Sequence, residues 1–123
     1  MYVANSHSDN VSVISPDNYT EIHEDIPVGK WPAAIGVDDV TNTVYVANSG
    51  SDTISVISGN NHTKIGEDIP VGYAPNAIGV DSSTNTVYVT NSGNDSISVI
   101  DGISNKVVAG VKFNVYPFNS GYV

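Results

Sequence analysis

The side chains that could do chemistry are numerous but do not form a recognisable constellation. Three histidines, His7, His23 and His62, stand far apart, and no two have the i, i+4 spacing of a helical zinc site. They read as scattered loop residues. Carboxylates are abundant, 13 in all, but there is no Asp-x-Asp-x-Asp-Gly loop to gather the six to eight oxygens that calcium takes. Nothing singles out a pair suited to glycoside hydrolysis, which needs two carboxyls about 5–10 Å apart in a cleft. Serines are common, yet no Gly-x-Ser-x-Gly elbow presents one as a nucleophile. The chain has no cysteine, hence no thiolate and no disulfide framework. The sequence therefore predicts no catalytic group, no cofactor and no metal site. What the carboxylates do show is recurrence. Asp9, Asp52 and Asp95 stand 43 residues apart, as do Asp38 and Asp81, and so do Glu24-Asp25 and Glu67-Asp68.

That spacing belongs to the whole chain. Tyr2-Val3-Ala4-Asn5-Ser6 returns as Tyr45-Val46-Ala47-Asn48-Ser49 and again as Tyr88-Val89-Thr90-Asn91-Ser92. Residues 2–44 and 45–87 align without a gap, identical at 30 positions and different at 13. A period of 40–45 residues carrying several short strands is the signature of β-propeller blades. The expectation is an all-β chain in one segment, 1–123, with repeats at 2–44, 45–87 and 88–123, about three four-stranded antiparallel blades.

Alternation and turn chemistry place the strands. Ala77–Val80 reads as a short inner strand after Pro75, Thr86–Thr90 as the second and Ser96–Ile100 as the third. The outer strand falls in the stretch Lys64–Val71. Nothing shows a 3.6-residue apolar stripe, so no helix is expected. The chain starts in a second strand, which leaves its first blade without an inner one. Its last residues, Tyr116–Val123, resemble a proline-led inner strand with no partner. Propellers usually close with four to eight blades. Two solutions follow: two chains close a six-bladed homodimeric ring by exchanging that strand, or the chain is part of a longer propeller. No signal peptide is visible, since Met1 abuts the first repeat.

The three Tyr-Val-(Ala/Thr)-Asn-Ser copies, each followed by Asp-x-(Val/Ile)-Ser-Val-Ile or a close variant, with Ile-Pro-Val-Gly closing the first two units, resemble the YVTN β-propeller repeat family. Tyr88-Val89-Thr90-Asn91 is the signature itself. The resemblance implies a propeller of about seven blades and an extracellular or cell-surface setting, typical of archaeal and bacterial surface-layer proteins. The chain departs from the pattern after Lys106, where Val111–Phe118 replaces Ile-Pro-Val-Gly and its proline, and Pro117 falls one residue short of the 43-residue interval.

Because the chain aligns with itself, shared positions should serve the blade and unshared ones are free for function. Asn5, Asn48 and Asn91 recur and read as turn hydrogen-bonders, and the recurring Asp residues as acceptors for turn N–H groups. His7, Lys30, Trp31, Asp39 and Tyr73 do not recur and are the candidate interaction residues, on exposed loops. Asn10, Asn18, Asn61 and Asn94 head glycosylation sequons, no more frequent than this Asn- and Ser/Thr-rich composition gives by chance. Four Lys+Arg against 13 Asp+Glu give a formal net charge of −9, which argues against nucleic acid as a partner. No apolar run is long enough to span a membrane. The expected function is a non-enzymatic structural or interaction module contacting protein or carbohydrate at the cell surface. The alternative is a segment of a propeller enzyme catalysing lactone hydrolysis or cofactor-dependent oxidoreduction.

Overall fold

The computed structural model describes residues 1–112. Among the described residues it contains eleven strands and no helix. The strands are β1 (Tyr2–Asn5), β2 (Asn10–Ile14), β3 (Glu21–Pro27), β4 (Pro32–Asp38), β5 (Thr43–Asn48), β6 (Thr53–Ser58), β7 (Ile69–Pro70), β8 (Pro75–Asp81), β9 (Thr86–Asn91), β10 (Ser96–Asp101) and β11 (Lys106–Lys112). They form three antiparallel sheets, β1-β2-β3, β4-β5-β6-β7 and β8-β9-β10-β11, each pairing its strands in sequence order. Among the described residues the first sheet has no inner strand. The 43-residue frame cuts across these sheets, because the inner strand of each blade lies at the end of the preceding repeat unit.

Turn chemistry repeats with the strands. Positive-φ residues fall at equivalent points of successive units: Asp9, Asp52 and Asp95; Asn42 and Asn85; Tyr19, His62 and Asn105; Trp31 and Ala74. Asp and Asn tolerate this left-handed conformation better than other non-glycine residues, which explains their placement in the turns.

The outer strands differ from blade to blade. The stretch Lys64–Val71, expected as one strand, pairs regularly only at β7, with a single bridge from Lys64 to Ile57. Gly66 between them takes φ +66 and breaks the ladder. His23 occupies the equivalent place in the first blade and pairs with Val13, so β3 runs on for seven residues. In the third blade the departure from the repeat does not prevent an outer strand: β11 forms through Lys112, with a bulge between Val99 and Ile100. The expected closing strand Tyr116–Val123 lies outside the described residues.

The core sits between sheets. Strand alternation sends successive side chains of β5 to opposite faces. Val44 and Val46, with Ile57, pack against Val11, Val13 and Ile26 of the first sheet. Tyr45 and Ala47, with Ile54, Val56 and Ile69, pack against Val87, Val89 and Ile100 of the third. Among the described residues the middle sheet is thus covered on both faces, and the outer two on one face each. Tyr45 is 0 % exposed whereas its equivalent Tyr88 is 44 % exposed; Val46 is 0 % exposed whereas Val3 is 40 % exposed. Each large apolar side chain so buried contributes about 1.5–3 kcal/mol, which the two end faces forgo.

Candidate functional site

Each blade connection is clamped by an aspartate. The carboxylate of Asp9 accepts a hydrogen bond from the Trp31 backbone N–H (2.9 Å), and that of Asp52 accepts one from Ala74 (2.9 Å). The carbonyls on either side of each connection are taken up by the next blade's turn. Ser49 and Gly50 donate to Trp31 and Lys30, and Ser92 and Gly93 donate to Ala74 and Tyr73. Asp9 and Asp52, expected to accept from their own turns, instead reach the following connection and tie one blade to its successor.

Beside this clamp runs a polar relay. Asn48 Nδ2 donates to Thr53 Oγ1 (3.1 Å) and Ser55 Oγ (2.9 Å), and Ser55 Oγ donates to Asp68 (2.8 Å). Asn5, Ser12 and Asp25 repeat the chain in the first blade, and Asn91 with Ser98 repeats its first step in the third. A side chain at Gly72 would collide with Asn91, its Cβ falling 2.8 Å from the amide. The glycine of Ile-Pro-Val-Gly is there to admit that buried asparagine.

These framework duties fall on backbone atoms and on shared residues, and so they leave the unshared side chains free. His7, on the β1–β2 turn, meets Trp31 edge to face with ring centroids 4.7 Å apart. Lys30 and Tyr73 precede the two left-handed connection residues. All four sit at the end of the blades that carries the blade connections, with Trp31 49 % and Tyr73 63 % exposed. A bulky residue at positive φ is uncommon. Ala74 adopts the same conformation, so the fold dictates the backbone and leaves the side chain to choice. Asp39 is exposed on the β4–β5 turn at the opposite end and does not join this group. Of the sequon asparagines, Asn18 and Asn61 are exposed and accept hydrogen bonds from Thr20 and Thr63. Asn10 and Asn94 are half-buried, bonded to Asn5 and Ser96.

The histidines are the main difference from the sequence reading. His23 and His62 are not scattered: their rings lie 5.4 Å apart, and Tyr2 Oη lies 3.1 Å from His62 Nδ1. Both line a groove of ≈ 410 Å³ between the rims of the first two blades, with Glu24, Asp25 and Lys64. Sequence spacing could not find this pair, since the two residues occupy different strand positions in different repeat units. Burial pushes the Tyr2 hydroxyl above its usual range. Burial does the same to Tyr45, with the charges of Asp38 and Asp101 adding to it. Asp81 is held below the usual carboxylate range, chiefly by the Ser83 hydroxyl.

No family model and no curated protein matches the chain. Solved structures do. Hydrazine synthase from Kuenenia stuttgartiensis superposes with a TM-score of 0.81 at 31% identity, over 91% of this chain and 33% of that one. A functionally unknown protein from Desulfotomaculum acetoxidans gives 0.74 at 20% identity, over 89% and 37%. Apo AztD from Citrobacter koseri gives 0.70 at 20%, over 89% and 31%. These neighbours are β-propeller proteins. The chain is part of a β-propeller. It spans about a third of the length of the structures it matches.

Proposed function

We propose that this arc serves as a non-enzymatic interaction module of a cell-surface propeller, contacting a protein or a carbohydrate through the end that carries the blade connections. The observation that carries the reading is the gathering of His7, Lys30, Trp31 and Tyr73 at that end, on connections whose own bonds use backbone atoms. Rigid aromatics offer large contact area at low entropy cost, and tryptophan and tyrosine are over-represented among binding hot spots. The surface-layer setting draws on the YVTN repeat resemblance. Among the described residues, one sheet face bearing Tyr88 and another bearing Val3 are exposed where Tyr45 and Val46 are covered. The test is to probe arrays of surface glycans and surface proteins with the chain and with a Trp31→Ala, Tyr73→Ala variant. Ala74 shows that alanine is accepted at the Trp31 position. Binding that falls at least tenfold in the variant supports the reading; binding that persists undiminished overturns it.

The enzymatic alternative draws on the likeness to hydrazine synthase, an enzyme by name. Lactone hydrolysis or cofactor-dependent oxidoreduction would then belong to the whole ring. A stoichiometric visible chromophore in the purified protein would favour it over the binding module.

A further inference from the structure

The groove between the first and second blades holds two imidazoles that neither the clamp nor the relay uses. His23 Nδ1 lies 2.7 Å from the Glu24 carbonyl, an acceptor, so Nδ1 carries the proton and Nε2 keeps its lone pair. His62 Nδ1 lies against Tyr2 Oη, which can accept its proton and leave Nε2 of that ring unprotonated too. Among the described residues neither Nε2 has a hydrogen-bond partner. A fixed Nδ1–H with a free Nε2 is the usual state of a metal-ligating histidine, whose outer nitrogen bonds a carbonyl, carboxylate or other acceptor. The spacing fits as well. A metal–nitrogen bond of about 2.1 Å puts each ring centroid roughly 3.3 Å from the ion, and a tetrahedral opening then separates the centroids by about 5.4 Å. The rings are 5.4 Å apart.

The next blade junction provides an internal control. There a groove of ≈ 270 Å³ has Glu67, Asp68, Ile69 and Pro70 where the first has Glu24, Asp25, Ile26 and Pro27. Gly66 and Asn105 stand where His23 and His62 stand. The groove is generic to a blade junction, and the two histidines are substituted together at one of them.

We propose that His23 and His62 form a two-imidazole site for a divalent transition-metal ion in this groove. Imidazole suits copper, nickel and zinc, with copper the tightest for a given donor set. Water completes the coordination, because no third histidine or carboxylate converges with the pair among the described residues. Glu24 and Asp25 from β3 add negative charge to the groove; Lys64 opposes it but is paired with Asp68 (2.7 Å), and Tyr2 faces the pair from β1. Bound metal would join β3 of the first blade to the β6–β7 turn of the second.

Two variants test this while keeping residues that other blades already carry: His23→Gly reproduces Gly66, and His62→Asn reproduces Asn105. Calorimetric titration of the chain with zinc chloride, and with copper chloride, should give one ion per chain. Both histidines should shift together in proton NMR as zinc is added. Each variant should lose at least tenfold in affinity, and the double variant little more than either single one. No binding to the chain, or a loss of less than about tenfold in either variant, overturns the site.

Discussion

Gly36 and Gly79 occupy equivalent positions in the inner strands of the second and third blades, yet a methyl group at each would meet different surroundings. A Cβ on Gly36 would fall 2.5 Å from Ile78 Cγ2 and 3.0 Å from Val80 Cγ2, both on the neighbouring inner strand. A Cβ on Gly79 would meet nothing within 4 Å among the described residues. Neither glycine has positive φ, so alanine is permitted by the backbone at both. Reduced freedom of the unfolded chain favours each alanine by about 0.4–1 kcal/mol. At Gly36 the overpacking penalty of about 1–3 kcal/mol outweighs it. Gly36→Ala should therefore destabilise by about 1–2 kcal/mol, and Gly79→Ala should stabilise by about 0.4–1 kcal/mol. Urea denaturation at several protein concentrations measures both, alongside light scattering. Two identical changes at equivalent sites should differ in sign. Equal penalties in a monomeric chain would refute the reasoning, because the outer face of the third blade would then be covered. A penalty at Gly79 that grows with protein concentration would instead identify a second copy as the cover, the expectation for a closed dimeric ring.

Tyr45 Oη is buried with no partner among the described residues, so Tyr45→Phe removes an unsatisfied hydroxyl and should leave stability unchanged or raise it by about 1 kcal/mol in thermal unfolding. Its pKa is raised in the folded state, so the stability linked to it is fully present below about pH 10, the unfolded value, and is lost as pH rises through the folded one. The alkaline decline in melting temperature should therefore flatten in Tyr45→Phe. Asp52→Ala removes the acceptor for Ala74 N–H and should cost about 1–3 kcal/mol, while Asp52→Asn, which keeps an oxygen, should cost less; denaturant midpoints separate them. Asp81 is lowered, so its contribution is present above the unfolded carboxylate value and is lost as pH falls through the folded one. Ser83→Ala should move its carbon-detected NMR titration upward, and an unmoved curve would remove the hydroxyl as the cause. Trp31→Gly relieves a positive φ and should raise stability by up to about 1 kcal/mol, read as a higher urea midpoint.

Most of the blade was legible because its rules are local and repeated. Strand alternation placed β9 and β10 to within a residue. Asn5, Asn48 and Asn91, expected to bond the turns, instead end their strands and donate to serines of the next strand. The outer strand was less legible, because its continuity depends on one position that is glycine in the second unit and histidine in the first. The reach of the Asp9 and Asp52 carboxylates to the following connection was hidden as well. Their partners lie 22 residues on, and the bond is to backbone, which leaves no side-chain signature.

The repeat worked as a filter at the level of single positions, and it missed what depends on pairs. Tyr2, Tyr45 and Tyr88 are one residue by alignment, but they are three different residues by environment. Tyr2 meets His62 across a blade junction, Tyr45 is buried at the next junction without a partner, and Tyr88 looks out from an end face. The equivalent of His62 at the next junction is Asn105, whose side-chain oxygen is buried and unpaired among the described residues. Sequence comparison scored His62 as an isolated deviation from Tyr19, because alignment stacks equivalent positions within units. A propeller junction instead brings the second strand of one unit against the turn of the next, so the informative comparison is between non-equivalent positions one blade apart. On that comparison His23 and His62 deviate together, at the same junction, beside a tyrosine that bonds to one of them.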